Sequence, residues 1–449
     1  MAGDSAHLAL FTDLYELTMV QAYVADGMAA APATFSLFVR SLPASRNFLL
    51  ACGLETALAS LEAMRFDAAS LDYLASLDRF TPSFLDWLRN FRFRASIDAI
   101  AEGTPVFAGE PLLEVSGSLA EAQLIETLLI NTLQLQTMLA SKAARIVAAA
   151  DGRRVVDFGA RRAHGIDASI NGARAFAIAG VAATSNMLAG KILGVPVVGT
   201  MAHAYVQSFD NEADAFRAFA RQYPDTTLLV DTYDTPGGVA KVIALASELG
   251  SAFRVQAIRL DSGDLLALSR AARAMLDAAG LGQVRILASG GLDEHEITSL
   301  LSRGAPIDAF GVGTRMSVSE DAPALDVVYK LTALAGQGRV KLSPGKNLLP
   351  GRKQVWRSEA DRVSTGDVLS RAEEHLSGRA LLQPVLRDGE RVAPARSLAD
   401  IATYAQAEIA RFPAAVRGIA PAKPPYRVAT SLGLESYARA VQASLKQAP

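Results

Sequence analysis

Between residues 153 and 332, the chain alternates short apolar runs with longer stretches of helical spacing. The runs are rich in Val, Ile and Leu, and each is followed by Gly, Asp, Ser or Thr. They cover residues 153–163, 195–204, 226–235, 253–264, 284–294 and 307–316. Strands that alternate with helices indicate βα units around a parallel sheet. This number of units favours a (β/α) barrel, with residues 325–334 as a candidate for a further strand, and a doubly wound open sheet is the alternative.

The segments on either side of this region have different patterns. Residues 33–40 and 105–115 resemble strands, and residues 55–93 resemble helices. Ser118 and Glu121 stand at capping-box spacing before a long run of helical periodicity. After about residue 336, Gly, Pro, Lys and Arg break the pattern. We predict three parts: an N-terminal α+β domain (1–130), a barrel (131–340) and a C-terminal segment (341–449) that packs back on the first domain.

Composition narrows the class of protein. The 44 basic and 46 acidic residues give a net charge of −2, which argues against nucleic acid or an anionic membrane surface as a partner. No run of about 18 apolar residues is present, so we expect no membrane span. The first residues lack the basic and apolar parts of a signal peptide. Cys52 is the only cysteine, which excludes an internal disulfide. We therefore expect a cytoplasmic protein.

The apolar runs place polar residues where strands of a barrel would end. Reactive groups of (β/α) barrels lie at this carboxyl face. Each residue has a structural explanation, since a glycine there often forms a turn and an aspartate often caps a helix. Six such ends converging on one face favour a functional site. The residues at these ends are Asp157, Phe158, Gly159, Arg161, Arg162, His164, Gly199, Thr200, His203, Asp231, Asp234, Arg259, Asp261, Ser262, Gly263, Asp264, Ser289, Gly290, Gly291, Asp293, Gly311, Gly313, Thr314 and Arg315.

Two of these ends are glycine-rich and follow successive late runs. They are residues 289–291 (Ser-Gly-Gly) and 311–314 (Gly-Val-Gly-Thr). Glycine allows backbone N–H groups to approach an anion, and a following helix N-terminus adds positive potential. These loops predict a phosphorylated ligand, and two ordinary βα turns are the alternative. Residues 259–264 offer carboxylates that suit vicinal sugar hydroxyls or Mg²⁺.

A basic segment follows the predicted barrel. Lys341, Lys346, Arg352, Lys353 and Arg357 are interrupted by prolines and glycines. Such a run is usually a solvated face, and a mobile loop that binds phosphates is the sharper alternative.

Motifs along most of the chain resemble those of the nicotinate phosphoribosyltransferase family. The matching stretches are TDLYELTM (12–19), DFGARRAHG (157–165), TSNMLAG (184–190), GTMAHA (199–204), VDTYDT (230–235), RLDSGD (259–264), ASGGLDE (288–294), FGVGTRM (310–316) and PGRKQVWR (350–357). The resemblance implies an irregular barrel with an N-terminal sandwich domain, working as a homodimer. It implies that nicotinate and phosphoribosyl pyrophosphate give nicotinate mononucleotide and pyrophosphate in NAD salvage, with ATP hydrolysis and Mg²⁺.

The resemblance also implies roles for individual residues. His203 matches the histidine that ATP phosphorylates, whereas a buried histidine bonded to backbone is the alternative. Phe158 and Arg161 match the pair that stacks on nicotinate and binds its carboxylate, although core packing is the alternative for Phe158. Tyr15 matches a residue that reaches the ring across the dimer interface. Ser185 stands where a nicotinamide-using relative has an acid, which favours nicotinate.

The remaining roles concern the sugar and the phosphates. The ribose and phosphate group comprises Arg259, Asp261, Ser289, Gly290, Gly291, Gly311, Gly313 and Thr314. Contacts with ATP or pyrophosphate are expected from Lys346, Arg352 and Lys353, and the Mg²⁺ ligands are not assigned.

Two alternative functions stay open. One is the same transfer with nicotinamide or quinolinate as the acceptor. The other is a catalytically silent protein that senses a phosphosugar or nucleotide on the same barrel.

Overall fold

The computed structural model describes residues 5–343 and 348–447. The chain divides into two compact units, one formed by Met1–Ser141 with Ala322–Pro449 and the other by Lys142–Asp321. The helix Glu126–Ala149 runs from the first unit into the second. In the described part of the chain, no helix combines the length and apolarity needed to cross a membrane.

The second unit is built on one parallel sheet of six strands that curls like half of a barrel. Along the sheet, the strands are Ala183–Thr184, Arg154–Asp157, Ala309–Val312, Arg285–Ala288, Ala257–Leu260 and Thr227–Leu229. All of the ladders are parallel. Among the described residues, no ladder joins the first of these strands to the last. The mixed α/β class and the parallel sheet are confirmed.

Helices connect these strands and pack against them. Their bounds are Ile166–Ile178, Met187–Leu193, His203–Gln207, Glu212–Gln222, Thr235–Leu249, Leu265–Ala278, Glu294–Ser302 and Thr314–Ser317, with 3-10 turns at Ala160–Arg162 and Gly250–Ala252. The helices Thr235–Leu249 and Leu265–Ala278 follow the runs at 226–235 and 253–264, as the predicted alternation requires. Strand residues such as Ile258, Ile286 and Phe310 are fully buried, which explains why these runs are apolar.

One of the six predicted strands is wrong. Residues 195–204 form no strand, and only a single bridge joins Val197 to Thr184. Thr184 N–H donates to Pro196 O, and Val198 N–H donates to Thr184 O. Pro196 has no N–H to extend the ladder, so the pairing stops there. The strand Ala183–Thr184 beside it was not predicted.

The first unit contains a seven-stranded antiparallel sheet. Its order is Gln337–Gly338, Val327–Leu334, Pro32–Val39, Pro111–Ser118, Ser96–Ile100, Leu382–Arg387 and Glu390–Arg391. A four-stranded sheet comprises Arg379–Ala380, Lys353–Ala360, Val363–Arg371 and Val428–Thr430, and Leu49–Leu50 pairs with Pro105–Val106. The C-terminal segment therefore contributes strands to the N-terminal sheet. A sandwich arrangement of these sheets remains a prediction.

The helices of the first unit precede and follow its strands. Beyond the shared helix, they are Leu14–Ala25, Leu54–Ala63, Ala68–Ser76, Pro82–Arg89, Leu119–Leu124, Leu398–Ala410, Ala414–Arg417 and Leu432–Gln447, with a 3-10 segment at Ser5–Leu10. The N-cap at Ser118 is confirmed, because its Oγ accepts from Glu121 N–H at 3.3 Å, and the same hydroxyl group donates to Glu121 Oε2 at 2.8 Å.

Residues 325–334, a candidate for a further barrel strand, lie elsewhere. Val327–Leu334 pairs with Pro32–Val39 in the antiparallel sheet of the first unit. The candidate was therefore wrong. A strand with this hydrophobicity fits either sheet, and only its long-range partner decides which one it joins.

Candidate functional site

The aspartates at the strand ends fall into two groups. Asp234, Asp264 and Asp293 are N-caps whose side chains accept from the first backbone N–H groups of their helices. The other three are no helix N-caps: Asp157 is the last residue of the strand Arg154–Asp157, Asp231 lies two positions after Leu229, and Asp261 directly follows Leu260. Helix capping explains the first three aspartates. Asp157, Asp231 and Asp261 instead hold loops and side chains at the carboxyl ends of the strands.

Asp157 fixes the loop that carries Phe158. Its carboxylate accepts from Gly159 N–H and from Thr184 Oγ1, both at 2.7 Å. Burial raises the pKa of this carboxyl group, and the two hydrogen bonds oppose the increase. Phe158 N–H donates to Val312 O at 2.9 Å. Arg161 lies in the following 3-10 turn and is exposed.

One edge of the Phe158 ring lies against Gly311. A Cβ atom at Gly311 would come within 2.5 Å and 2.6 Å of ring atoms Cε2 and Cδ2. On another side, the guanidinium carbon of Arg259 lies 5.8 Å from the ring centroid. Gly311 belongs to the strand Ala309–Val312, so the second predicted glycine loop begins only at Gly313.

A cavity of about 400 Å³ opens beside this ring. Phe158, Val198, Gly199 and Thr200 contribute to its lining, together with residues near the amino ends of the strands. This volume lies within the range of about 300–1,000 Å³ typical of small-molecule sites. An aromatic ring at the wall of such a cavity can stack on a flat ligand.

Two guanidinium groups give this region positive potential. Arg259 is mostly buried, and its Nη1 donates to Thr200 Oγ1 at 2.6 Å. Burial lowers the pKa of Arg259, the charges of Asp261 and Asp231 oppose this decrease, and the nearby charge of Arg161 adds to it. The Nε atom of Arg259 is buried with no hydrogen-bond partner among the described residues. An anionic ligand between these cations would offset their repulsion.

Ser185 lies at the end of the edge strand. Its N–H donates to Asp157 O at 2.8 Å, which ties it to the loop that carries Phe158. The residue is half-buried. Asn186 then caps the helix Met187–Leu193 by accepting from Ala189 N–H at 3.0 Å.

His203 begins the short helix His203–Gln207 and is partly exposed. Its Nδ1 lies 3.1 Å from Thr232 Oγ1, and its Nε2 lies 3.7 Å from Asp261 Oδ2. The alternative of a histidine bonded only to backbone is therefore wrong. One ring nitrogen is oriented by a hydroxyl group, and the other faces the predicted ribose site.

Asp261 is held from two sides. Ser289 Oγ donates to Asp261 Oδ1 at 2.5 Å, and Asp261 N–H donates to Asp231 Oδ2 at 2.9 Å. Asp231 Oδ2 also accepts from Ser262 Oγ at 2.7 Å, while Asp231 Oδ1 is buried without a partner in the described part of the chain. Asp261 thus lies close to His203 and Asp231 holds its backbone, although the described residues hold no group of three His, Cys, Asp or Glu that could bind a metal.

The first glycine loop follows Ser289 and turns sharply. Gly290 has φ +90°, and a Cβ there would lie 1.9 Å from Asp261 O. Only glycine fits this close approach. Gly291 has φ +64° and is exposed, as is Thr314 in the second loop. The strands before the two loops are neighbours, with Leu287 and Ala288 paired to Ala309 and Phe310.

The remaining predicted residues belong to the first unit. Tyr15 is 45% exposed, and burial and nearby carboxylates, chiefly Glu126, raise the pKa of its phenol. Arg352 is paired with Asp98. Lys353 is buried, with Nζ 3.2 Å from Glu114 and 2.8 Å from Ser36 Oγ, so contact with ATP would require these bonds to break. Lys346 lies outside the described residues.

Sequence analysis missed two contributors. Thr232, which contacts His203, lies in the VDTYDT stretch but was assigned no role. Thr200, which accepts from Arg259, lies in the GTMAHA stretch but was assigned no role. The VDTYDT and GTMAHA motifs contained both residues, but motif matching alone does not show which hydroxyl group meets which partner.

Family models match most of the chain. Residues 10–134 match the nicotinate phosphoribosyltransferase N-terminal domain, and residues 153–350 match the nicotinate phosphoribosyltransferase family. Together these ranges exceed half of the chain.

Individual relatives agree with this match. Nicotinate phosphoribosyltransferase pncB2 of Mycobacterium tuberculosis is 51% identical over 424 residues, covering 94% of this chain and 91% of the relative. The Bacillus subtilis nicotinate phosphoribosyltransferase is 42% identical over 385 residues, or 84% and 79% of the two chains. The crystal structure of human nicotinic acid phosphoribosyltransferase superposes with a TM-score of 0.84 at 30% identity, covering 96% and 99%. The chain belongs to the nicotinate phosphoribosyltransferase family.

Proposed function

We propose that this protein transfers the phosphoribosyl group of phosphoribosyl pyrophosphate to nicotinate, giving nicotinate mononucleotide and pyrophosphate in NAD salvage. Family membership and the 51% identical relative support this activity. One structural observation supports the proposal most directly. His203, Asp261 and Ser289 meet at the carboxyl ends of the sheet, where Phe158 also follows its strand.

The surroundings of Phe158 suit a flat anion. The nicotinate ring would stack on Phe158, and its carboxylate would lie between Arg161 and the buried guanidinium of Arg259. Binding there would fix the pyridine nitrogen toward the ribosyl carbon, which is the main contribution of orientation to such a transfer. Ser185 adds no negative charge, so the substrate carboxylate meets no repulsion from this position.

The ribosyl carbon becomes cationic as pyrophosphate departs. Asp261 would accept from the ribose hydroxyls and stabilise this charge, and the loops that contain Gly290, Gly291, Gly313 and Thr314 would hold the 5′-phosphate. Mg²⁺ would neutralise charge on the departing pyrophosphate. The unpartnered oxygen of Asp231 and the carboxylate of Asp261 fit a cation that keeps few protein ligands and several substrate oxygens.

We further propose that ATP phosphorylates His203 and that the enzyme is an ATP-hydrolysing ligase. If Nδ1–H donates to Thr232 Oγ1, the lone pair of Nε2 is free to attack the γ-phosphorus, and ADP leaves. The new phosphoryl charge would lie close to Asp261 and the Mg²⁺–pyrophosphate site, where it can reorganise the loops. Arg352, Lys353 and Lys346 are proposed contacts of ATP or pyrophosphate.

We also propose a homodimer in which Tyr15 of one protomer completes the partner's site. Its phenol is exposed enough to contact another chain. Replacing Tyr15 with Phe would test this contribution by raising the KM for nicotinate.

The proposed reaction is tested by incubating the protein with phosphoribosyl pyrophosphate and one pyridine at a time, with and without ATP. Mass-resolved products should show nicotinate mononucleotide, with little product from nicotinamide or quinolinate. Turnover of quinolinate alone would support the alternative acceptor. Binding of a phosphosugar without product would support a sensing protein instead.

The specificity argument has its own variant. Ser185→Asp should erode the preference for nicotinate over nicotinamide by about tenfold or more, because a carboxylate repels the substrate anion and accepts from an amide. Ser185→Asn is the uncharged control. An unchanged preference in Ser185→Asp would refute the assignment.

A further inference from the structure

The two glycine loops are joined by an ion pair. Asp293 follows the first loop and caps the helix Glu294–Ser302, while Arg315 lies in the helix that follows the second loop. Arg315 Nη1 donates to Asp293 Oδ2 at 2.5 Å. The same carboxylate accepts through Oδ1 from His295 N–H and Glu296 N–H, both at 2.9 Å. One side chain thus holds its own helix and the helix of the neighbouring loop.

Partial burial makes this ion pair stronger than a fully solvent-exposed ion pair. The Asp293 side chain is 14% exposed and that of Arg315 is 37% exposed. Burial raises the pKa of Asp293, but hydrogen bonds from Glu296 and Arg315 outweigh it and lower the pKa below its ordinary value. Arg315 Nε also lies 3.2 Å from Glu320 Oε2, which fixes the plane of the guanidinium.

The helix that begins after Asp293 is anchored from a second direction. Glu294 is fully buried, and its carboxylate accepts from Lys142 Nζ at 2.6 Å and from Arg145 Nε at 2.9 Å. These cations belong to the long helix Glu126–Ala149. The first glycine loop therefore lies between a buried ion cluster and the link to the second loop, which limits how far it can move.

We propose that Asp293 and Arg315 form a clamp, a pair of positioning residues that sets the spacing and the charge of the two phosphate-binding loops. This inference rests on the proposed function, in which both loops hold one 5′-phosphate. A carboxylate at a helix N-terminus would repel that phosphate, and Arg315 neutralises it. The clamp acts through the loops, and neither side chain needs to touch the substrate.

The clamp makes a distinctive prediction for conservative variants. Asp293→Asn keeps an oxygen that can cap the helix but loses the ion pair. Arg315→Gln loses the same pair from the other side. Each should raise the KM for phosphoribosyl pyrophosphate and the Kd of nicotinate mononucleotide by about tenfold, since looser loops misplace the phosphate. Values of kcat and of the KM for nicotinate should change by less than about threefold, because the pyridine site is separate.

A double-mutant cycle tests whether the two residues act as a unit. Nicotinate mononucleotide affinity is measured by calorimetry for the wild-type protein, both single variants and the double variant. If the two residues act as a unit, the double variant should bind nicotinate mononucleotide about as tightly as the single variant with the lower affinity. Arg315→Lys should recover part of the loss. Asp277→Asn, which removes a carboxylate paired with Arg273 far along another helix, is the matched control and should change nothing.

Two outcomes would overturn the clamp alone. If Asp293→Asn bound the mononucleotide as tightly as the wild type while Arg315→Gln did not, Arg315 would be a direct phosphate ligand. If the two losses simply added, the residues would act independently. A wild-type protein that bound no mononucleotide would overturn the proposed function and the clamp together. Thermal unfolding of each variant separates loss of binding from loss of the fold.

Discussion

Replacing Gly311 with alanine would test the role of the Phe158 ring without touching that residue. The new methyl carbon would lie 2.5 Å and 2.6 Å from two ring carbons and 3.3 Å from Ser289 Cβ. Gly311 has no positive φ, so its backbone accepts an alanine without strain. The substitution therefore acts through contact with the ring.

The size of the displacement follows from these distances. Carbon atoms in contact prefer about 3.5–4.0 Å, so the Phe158 ring must withdraw by about 1 Å. Its N–H bond to Val312 holds the backbone, which leaves a tilt of the side chain into the cavity as the easiest response. A misplacement of about 1 Å can cost about 10²-fold in rate, and overpacking costs about 1–3 kcal/mol of stability.

We expect Gly311→Ala to lower kcat/KM for nicotinate by about 10- to 100-fold while the protein stays folded. Initial rates at varied nicotinate and saturating phosphoribosyl pyrophosphate measure the effect, and thermal unfolding measures stability. Gly282→Ala is the matched control, since a Cβ there meets only Asp277 Oδ1 at 3.7 Å. A folded Gly311→Ala variant with unchanged nicotinate kinetics would refute the stacking role of Phe158.

Two further predictions concern the buried charges of the first unit. Burial raises the pKa of Glu110, and the charge of Asp367 raises it further. The protonated Glu110 therefore makes its full contribution to folding stability below the unfolded pKa of about 4.3, and this contribution is lost as the pH rises through the pKa of the folded state. Glu110→Gln should flatten that decline in denaturant unfolding, and an unchanged pH slope would contradict it. Asp367→Ala removes the carboxylate paired with the fully buried Arg357 and should cost about 3–5 kcal/mol, against about 0–1 kcal/mol for Glu373→Ala at an exposed pair. Equal losses in the two variants would contradict this difference.

The pattern of apolar runs predicted most of the parallel sheet because its strands are buried on both faces. Runs such as 284–294 and 307–316 combine continuous apolar residues with polar ends, which is the signature of such strands. The run at 195–204 has the same composition, yet Val197 is 43% exposed and forms only one bridge. Hydrophobicity alone does not distinguish an edge segment interrupted by proline from a central strand.

The basic segment shows a second limit. Its residues suggested either a solvated face or a phosphate-binding loop, and neither fits Arg357. That side chain is fully buried, donates to Asp367 and Pro105 O, and lies 4.9 Å from the Phe412 ring. Its partners are up to 252 positions away in sequence, so no local pattern could reveal them.

The candidate site was predictable to a similar extent. Motifs indicated which strand ends carry polar groups, and the structure brings His203, Asp261 and Ser289 together as the barrel rule implies. Contacts between motifs, such as His203 with Thr232 or Asp293 with Arg315, depend on side-chain direction after folding. These contacts set the chemistry of the histidine and the spacing of the loops.

The chemistry of His203 is tested most directly with ATP labelled on its γ-phosphate. The wild-type protein should acquire label that is lost in acid and kept in base, as expected for a phosphorylated imidazole. His203→Ala should acquire none, and Thr232→Val should acquire it more slowly because Nδ1 loses its hydrogen-bond partner. Acid-labile label on His203→Ala at the wild-type level would contradict the account.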